Sequence, residues 1–370
     1  MNRLRSIPAQ VNLSVTKRRW LQSQLIDWYY GSRRDLPWRG IQDPYKVWIS
    51  EVMLQQTQVK TVIPYYEKFL RAFPDLASLA NARVDRLVKC WAGLGYYSRA
   101  RNLKKAAQLI MSEHQGKFPE TFEEVHDLPG IGKYTAAAIM SICFSKPLAV
   151  LDGNVVRILT RVLRIHGSVK EGKVQRKLWQ LAQHLLVRRN AGDFNQALMD
   201  LGATVCTPRQ PRCSLCPWEE KCLARKEGIQ ELLPEKGKRP PSTESHRAAI
   251  ILSSRGKYLI VRRSEKGQLH GFWEFPTFEL RGEQSASLVL ANLFHRNYGL
   301  RFSELKRVSQ IRHSITSKRI NLDVFQGRIR KTGKEIDLGV DFRWVKPEEL
   351  SRYPFSAATL RILDALSLAR

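Results

Sequence analysis

The chain contains no run of about 18 uninterrupted apolar residues, so nothing in it reads as a transmembrane span and no membrane partner is expected. Its first twenty residues hold no acidic residue and no apolar stretch. We therefore read no secretory signal or organelle presequence there, but a basic tail carrying Arg3, Arg5, Lys17, Arg18 and Arg19. Acidic residues are scarce throughout, 34 against 62 basic, which leaves a net charge of +28. A surface so positive gathers polyanions by counterion release, and nucleic acid is the favoured partner. Internal repeats are absent. Cysteines are few, and four of the six (Cys206, Cys213, Cys216 and Cys222) fall within seventeen residues. With no secretion signal, such a cluster points to a metal centre in a reducing compartment rather than to disulfides. Four thiolates at this spacing can hold zinc or an iron–sulfur cluster. Cys90 and Cys143 stand alone in apolar surroundings and read as core thiols.

What is present divides the chain in two. From about Trp20 to Leu223 the apolar pattern is helical. Val59, Val62, Tyr66, Phe69 and Phe73 recur at three- and four-residue steps, with Pro64 predicted to split them into two helices. A Pro-, Lys- and Glu-rich stretch without periodicity follows and reads as a linker. Beyond it come two β-prone runs about Arg255-Gly256, a hairpin signature, then a strand-like INLDVFQGRI and a β-prone DFRWV. The predicted organisation is multidomain: a tail over 1–15, an all-α domain over 16–225, a linker over 226–246 and an α+β domain over 247–370.

Three further strings carry chemistry. Residues 128–136 (LPGIGKYTA) are a helix-hairpin-helix signature. Gly130 and Gly132 allow a tight turn close to a phosphate, and the apolar helix read over 134–145 then offers its N-terminal amides to that anion. Asp152 follows in AVLDGNVVRIL, where taken alone it reads as a helix cap. Glu51 lies in SEVMLQQTQV and taken alone is an ordinary helix N-terminal carboxylate. Together the two supply the carboxyl pair that glycosidic cleavage needs, one held protonated and the other ionised.

These strings in this order, with residues 36–39 (LPWR) and 94–103 (LGYYSRARNL), resemble the MutY family of adenine DNA glycosylases from about residue 20 to the C-terminus. The resemblance implies a helix-hairpin-helix glycosylase domain with a 4Fe–4S cluster on the four clustered cysteines, followed by a Nudix-like domain. It implies removal of adenine mispaired with 8-oxoguanine, and with guanine, from double-stranded DNA by base flipping. It gives Glu51 the part of acid and Asp152 that of the group stabilising the sugar cation, with Tyr134 and Asn154 assisting. Trp38, Arg39, Leu54 and Gln196 would line the adenine pocket, with plain core packing an even alternative for Trp38 and Leu54. Gln56, Thr57 and Tyr96 would sit beside the opposite base. Bifunctional relatives of the endonuclease III type carry a lysine nucleophile where this chain has Tyr134, with Lys133 one place early. A monofunctional enzyme is therefore expected, acting as a monomer in a bacterial-type cytoplasm and associated with the nucleoid.

The second domain retains residues 271–276 (GFWEFP) of the Nudix-like reader. In the stretch before Gly299, where a Nudix hydrolase holds its magnesium-binding glutamates, stand His295 and Arg296, so DNA reading without nucleotide hydrolysis is expected. The family's Phe-Ser-His lesion loop aligns with Ile315, Thr316 and Ser317, a departure that implies altered opposite-base choice. Rival readings are an endonuclease III-like glycosylase/lyase, a catalytically silent lesion binder and an electron-transfer protein. Tyr134 opposes the first, the carboxyl pair the second, and the hairpin together with that pair the third.

Overall fold

The computed structural model describes residues 13–235, 237, 242–263, 271–280, 289–290, 292, 295–296, 305–315, 318–328 and 341–366. They form two compact units, one of Met1–Asn81 with Asn102–Arg239 and the other of Ala82–Arg101 with Pro240–Arg370. Among the described residues no helix is long and apolar enough to cross a membrane.

The first unit is helical. Its elements are α1 (Val15–Ser32), α2 (Pro44–Leu54), α3 (Val59–Ala72) and α4 (Leu76–Ala80); α5 (Val84–Trp91) belongs to the second unit and α6 (Ser98–Glu113) begins there. Then follow α7 (Phe122–Asp127), α8 (Lys133–Cys143), α9 (Gly153–Val162), α10 (Gly172–Leu185), α11 (Ala191–Thr204) and α12 (Leu223–Lys226). Leu21, Leu25 and Tyr29 of α1, Ile158 and Leu159 of α9, Leu178 of α10 and Phe194 and Leu201 of α11 share one core. The hairpin turn joins α7 to α8, and Asp152 caps α9, so the core fixes both.

One local expectation fails. α3 runs unbroken through Pro64, contrary to the two helices predicted there. The proline removes one backbone bond at a cost of about 3 kcal/mol. Burial of Val62, Tyr66, Phe69 and Phe73 stabilises one continuous face by about 2 kcal/mol for each side chain. Burial wins, and exposed Lys60 leaves its carbonyl within reach of water. The two solitary cysteines also differ: Cys90 is buried as expected, whereas Cys143 is only half-buried.

The second unit is built on a seven-stranded mixed sheet of β1 (Thr243–Ser254), β2 (Lys257–Arg262), β3 (Trp273–Glu274), β4 (Thr277–Glu279), β5 (Lys306–Ile315), β6 (Lys318–Arg328) and β7 (Phe342–Val345). The hairpin expected at Arg255-Gly256 forms, with Ser254 opposite Lys257 and both turn residues at positive φ, as a type I′ turn requires. β1 begins inside the stretch read as linker and pairs in parallel with β6 along its length. Ala248, Ile250 and Leu252 pack on one side of the sheet, while Ala249 and Ile251 pack on the other beneath α13 (Ala357–Ala365). Covered on both faces, β1 has the continuous apolar run of a central strand. His295 and Arg296 are helical and exposed. Within this unit Tyr97 packs edge-on against Phe272 at 4.2 Å, and Asp85 lies 3.6 Å from Arg262.

Candidate active site

Glu51 is not a helix N-terminal carboxylate. α2 starts with Asp43 as cap and Pro44 at its first position, so Glu51 falls near the opposite end, where the helix dipole disfavours negative charge. It is 5% exposed. Its Oε2 lies 2.8 Å from the Tyr134 hydroxyl, which is also 2.9 Å from Met199 Sδ. Burial pushes the Glu51 carboxyl up to about 7, against the Tyr134 hydroxyl and the Arg39 charge, and the Asp152 charge adds to the rise. Burial likewise raises the Tyr134 phenol well above its usual value. Burial thus keeps part of the Glu51 population protonated near neutral pH, although the Tyr134 hydroxyl favours the ionised form.

Asp152 does cap α9, as its bland reading had it, but that uses one oxygen. Oδ1 accepts the Val155 N–H at 2.8 Å and Oδ2 accepts the Asn154 amide at 2.7 Å. Burial raises this carboxyl too, while those donors and the Arg157 guanidinium oppose the rise. Asn154 in turn accepts from Arg157 at 2.8 Å, and Arg157 donates to the Gly202 and Cys206 carbonyls. A Cβ on Gly202 would stand 2.5 Å from Asn154 Cβ, so only glycine lets α11 lie this close to α9.

The third group is polar and cationic. Arg39 bridges Gln196 Oε1 and Asp200 Oδ1, the latter at 2.6 Å, and Arg34 shares the same Asp200 oxygen at 2.5 Å. Arg39 and Gln196 also line an open cleft with Tyr29, Arg33 and Gln42. Gln196 and Asp200 stand four residues apart on α11, on one face. Sequence reasoning found Gln196 but missed Asp200 and Met199, although that spacing was the signal available for Asp200.

At the hairpin, Gly130 has φ +82°, and a Cβ there would meet Asn102 at 2.7 Å. Gly132 caps α8 without a side chain, leaving the first amides of the helix for an anion. Lys133 lies over the Trp179 ring, with Nζ 4.2 Å from its centroid, while the next residue, Tyr134, reaches Glu51.

The remaining expected residues divide. Trp38 is buried edge-on against Tyr66 at 5.3 Å, which is core packing, and Leu54 is half-buried at the end of α2. Gln56 is exposed in the left-handed region, and Thr57 is half-buried beside it. Tyr96, also left-handed and exposed, belongs to the other unit and faces Arg99. Ile315 closes β5 opposite Lys318, while Thr316 and Ser317 lie outside the described residues.

Cys206, Cys213, Cys216 and Cys222 line one small cavity of about 20 Å³, together with Val162, Leu201 and Trp218. Among the described residues no group of three or more His, Cys, Asp or Glu is placed to hold a single metal ion. Arg161 donates to Cys206 Sγ at 3.3 Å, and the buried Trp218 ties this loop to α1 through the Leu21 carbonyl at 2.8 Å. Four sulfur donors lining one cavity, with the Arg161 guanidinium beside Cys206, are the donor type that a thiolate-bound cluster takes.

Residues 49–184 match the model of the HhH-GPD superfamily of base excision DNA repair proteins, and residues 247–365 match a NUDIX domain. The adenine DNA glycosylase of Buchnera aphidicola subsp. Schizaphis graminum is 42% identical over 261 residues, covering 70% of this chain and 75% of its own. That of Homo sapiens is 34% identical over 397 residues, covering 92% and 73%. Among solved structures, a thermostable thymine-DNA glycosylase aligns with TM-score 0.53 and 30% identity over 58% of this chain and all of its own. An endonuclease III–DNA complex aligns with TM-score 0.51 at 19% identity over 59% of this chain and 99% of its own, a likeness of fold alone.

Proposed function

The chain belongs to the adenine DNA glycosylase family, and from that footing we propose that it excises adenine mispaired with 8-oxoguanine or guanine in duplex DNA, as a monofunctional hydrolase. The observation that carries the reading is the buried Glu51, held near neutrality by its surroundings and bonded to Tyr134. A carboxyl that keeps its proton near pH 7 can hand it to an extruded adenine and turn the base into a leaving group. Asp152, with three charge-stabilising partners, is the carboxylate that answers the positive charge growing on the sugar. Lys133 is engaged by Trp179 and Tyr134 occupies the position beside Glu51, which supports a hydrolase without a lysine nucleophile at this hairpin.

In this reading Cys206, Cys213, Cys216 and Cys222 hold a 4Fe–4S cluster. Hydrolysis transfers no electrons, so when bound the cluster supplies a fixed shape to the loop between α11 and α12. Metal analysis of anaerobically purified protein should find about four irons per chain and broad visible absorbance; one zinc per chain would overturn this part. The function itself is tested on duplexes with adenine opposite 8-oxoguanine, guanine, cytosine and thymine, scored for free adenine. Release opposite the first two is expected. Ser317 lacks the imidazole of the family's loop, so the preference for 8-oxoguanine over guanine should be shallower than in a Phe-Ser-His member. Release of a pyrimidine instead would sink the reading.

A further inference from the structure

The β5–β6 hairpin borders a cleft of about 410 Å³ that none of the chemistry above uses. Strand register builds it. In the antiparallel pair Arg312 stands opposite Asn321 and Ser314 opposite Arg319, so these four side chains share one face. The two arginines are diagonal neighbours, about 7–8 Å apart at the backbone, with the hydroxyl and the amide on the other diagonal. Both arginines and Ser314 are exposed, and His313, whose Nδ1 is buried without a partner, borders the same cleft. Glu244 of β1, opposite Arg319 in the parallel register, adds a carboxylate to the lining.

The two arginines differ from their neighbours in having nothing to pair with. In the same unit Arg263 faces Glu274, Arg307 faces Asp323, Arg352 faces Glu349, Arg262 lies between Asp85 and Asp341, and Arg343 lies over the Trp273 ring. Arg312 and Arg319 have no ion pair, hydrogen bond or ring contact among the described residues, Glu244 included. A bare cation on an edge strand keeps other strands from adding to it. That accounts for Arg312 on β5, but Arg319 lies on β6, which is paired on both sides.

We propose that this cleft is a phosphate site that takes one phosphate group, from a DNA backbone or from a free phosphate. A phosphate offers only acceptors, and two guanidinium forks with a hydroxyl and an amide NH2 beside them offer donors. Glu244 flanks the site and opposes a second negative charge. The site belongs to the sheet unit, whereas Glu51 and Asp152 belong to the helical one, so it is independent of adenine excision.

The test uses the full-length protein and a fully matched, undamaged duplex. Affinity is measured against salt for the parent, Arg312→Gln, Arg319→Gln, their double variant and Lys257→Gln, which removes a cation at the other end of β1. Inorganic phosphate is titrated calorimetrically into the same proteins at low salt. If the site holds a backbone phosphate, log affinity against log salt becomes shallower by about 0.9 in each single variant. The double variant loses no more than that, because both arginines hold one group. Lys257→Gln should change the slope by less than half as much. If the site holds a free phosphate, the parent binds it saturably, each arginine variant binds it about tenfold more weakly or worse, and the slopes stay unchanged. Glu244→Gln should strengthen whichever ligand binds, a gain that a misfolded variant would not give. Unchanged slopes without phosphate binding overturn the proposal, as does a slope change that Lys257→Gln matches. A Glu244→Gln variant that weakens both ligands also overturns it, since the carboxylate would then be serving the arginines. A parent that binds no duplex refutes the nucleic-acid reading instead and leaves the phosphate titration to decide.

Discussion

Two buried carboxyls share the helical unit with unequal sets of partners. Glu51 accepts from one hydroxyl and sits where the helix dipole opposes its charge, while Asp152 accepts from a backbone N–H and an amide; each also feels one guanidinium, Arg39 and Arg157 respectively. The raised Glu51 carboxyl keeps its acid form up to about pH 7, where an ordinary glutamate would already be ionised. Donation needs that form, so single-turnover excision should fall as pH rises through about 7, approaching tenfold per pH unit. Glu51→Gln should abolish both the activity and this limb; a flat profile between pH 6 and 9 would remove Glu51 from the acid role. In the proposed reaction Asp152 answers charge present mainly in the transition state, and Asp152→Asn removes that answer. It should eliminate excision while duplex affinity persists, and a variant within about tenfold of the parent, about 1.4 kcal/mol in barrier, would contradict the assignment.

At the scale of elements, α3 isolates one backbone effect from packing. Pro64 is exposed within an otherwise continuous helix, so Pro64→Ala restores a hydrogen bond without touching the buried face. The expected gain is about 1–3 kcal/mol in chemical denaturation, and a loss would mean that Pro64 contributes a contact or bend of its own. Periodicity places Val62, Tyr66, Phe69 and Phe73 on one face, and the burial that face achieves outweighs the local tendency of proline to end a helix. The hairpin at residues 128–136 and the turn at Arg255-Gly256 were legible because glycine and turn chemistry are local. Glu51, Tyr134 and Asp152 were legible as identities through the resemblance. Their environment was not: the depth of Glu51 and the Met199 contact depend on α8 packing against α2 and α11 across long stretches of chain. Gly202 shows the same limit, since its reason is Asn154, far away in sequence.

For the whole molecule, the proposed reaction has the excess of 62 basic over 34 acidic residues and the Glu51–Asp152 pair act at different steps. Charge on the surface lowers the free energy of bringing DNA and protein together, and it does so by releasing counterions. The carboxyl pair is buried and much less exposed to salt, because screening acts mainly on solvent-exposed charges separated by more than about 8 Å at physiological ionic strength. Affinity and chemistry should therefore respond differently to ionic strength. Between about 50 and 200 mM salt, a protein making six to ten phosphate contacts loses roughly 10³–10⁵ in affinity. We expect a loss of that order for duplex binding here, with log affinity linear in log salt concentration. The single-turnover rate, measured with enzyme in large excess so that all duplex stays bound, should change by less than about twofold over the same range, because the groups it depends on are shielded. If the saturated rate falls in step with affinity, then surface charge is also needed to extrude the adenine or to hold it against Glu51. The separation between the basic surface and the buried pair would then be wrong. If affinity barely responds to salt, the positive charge is not what holds the DNA, and specific contacts to the mispair must supply the binding instead.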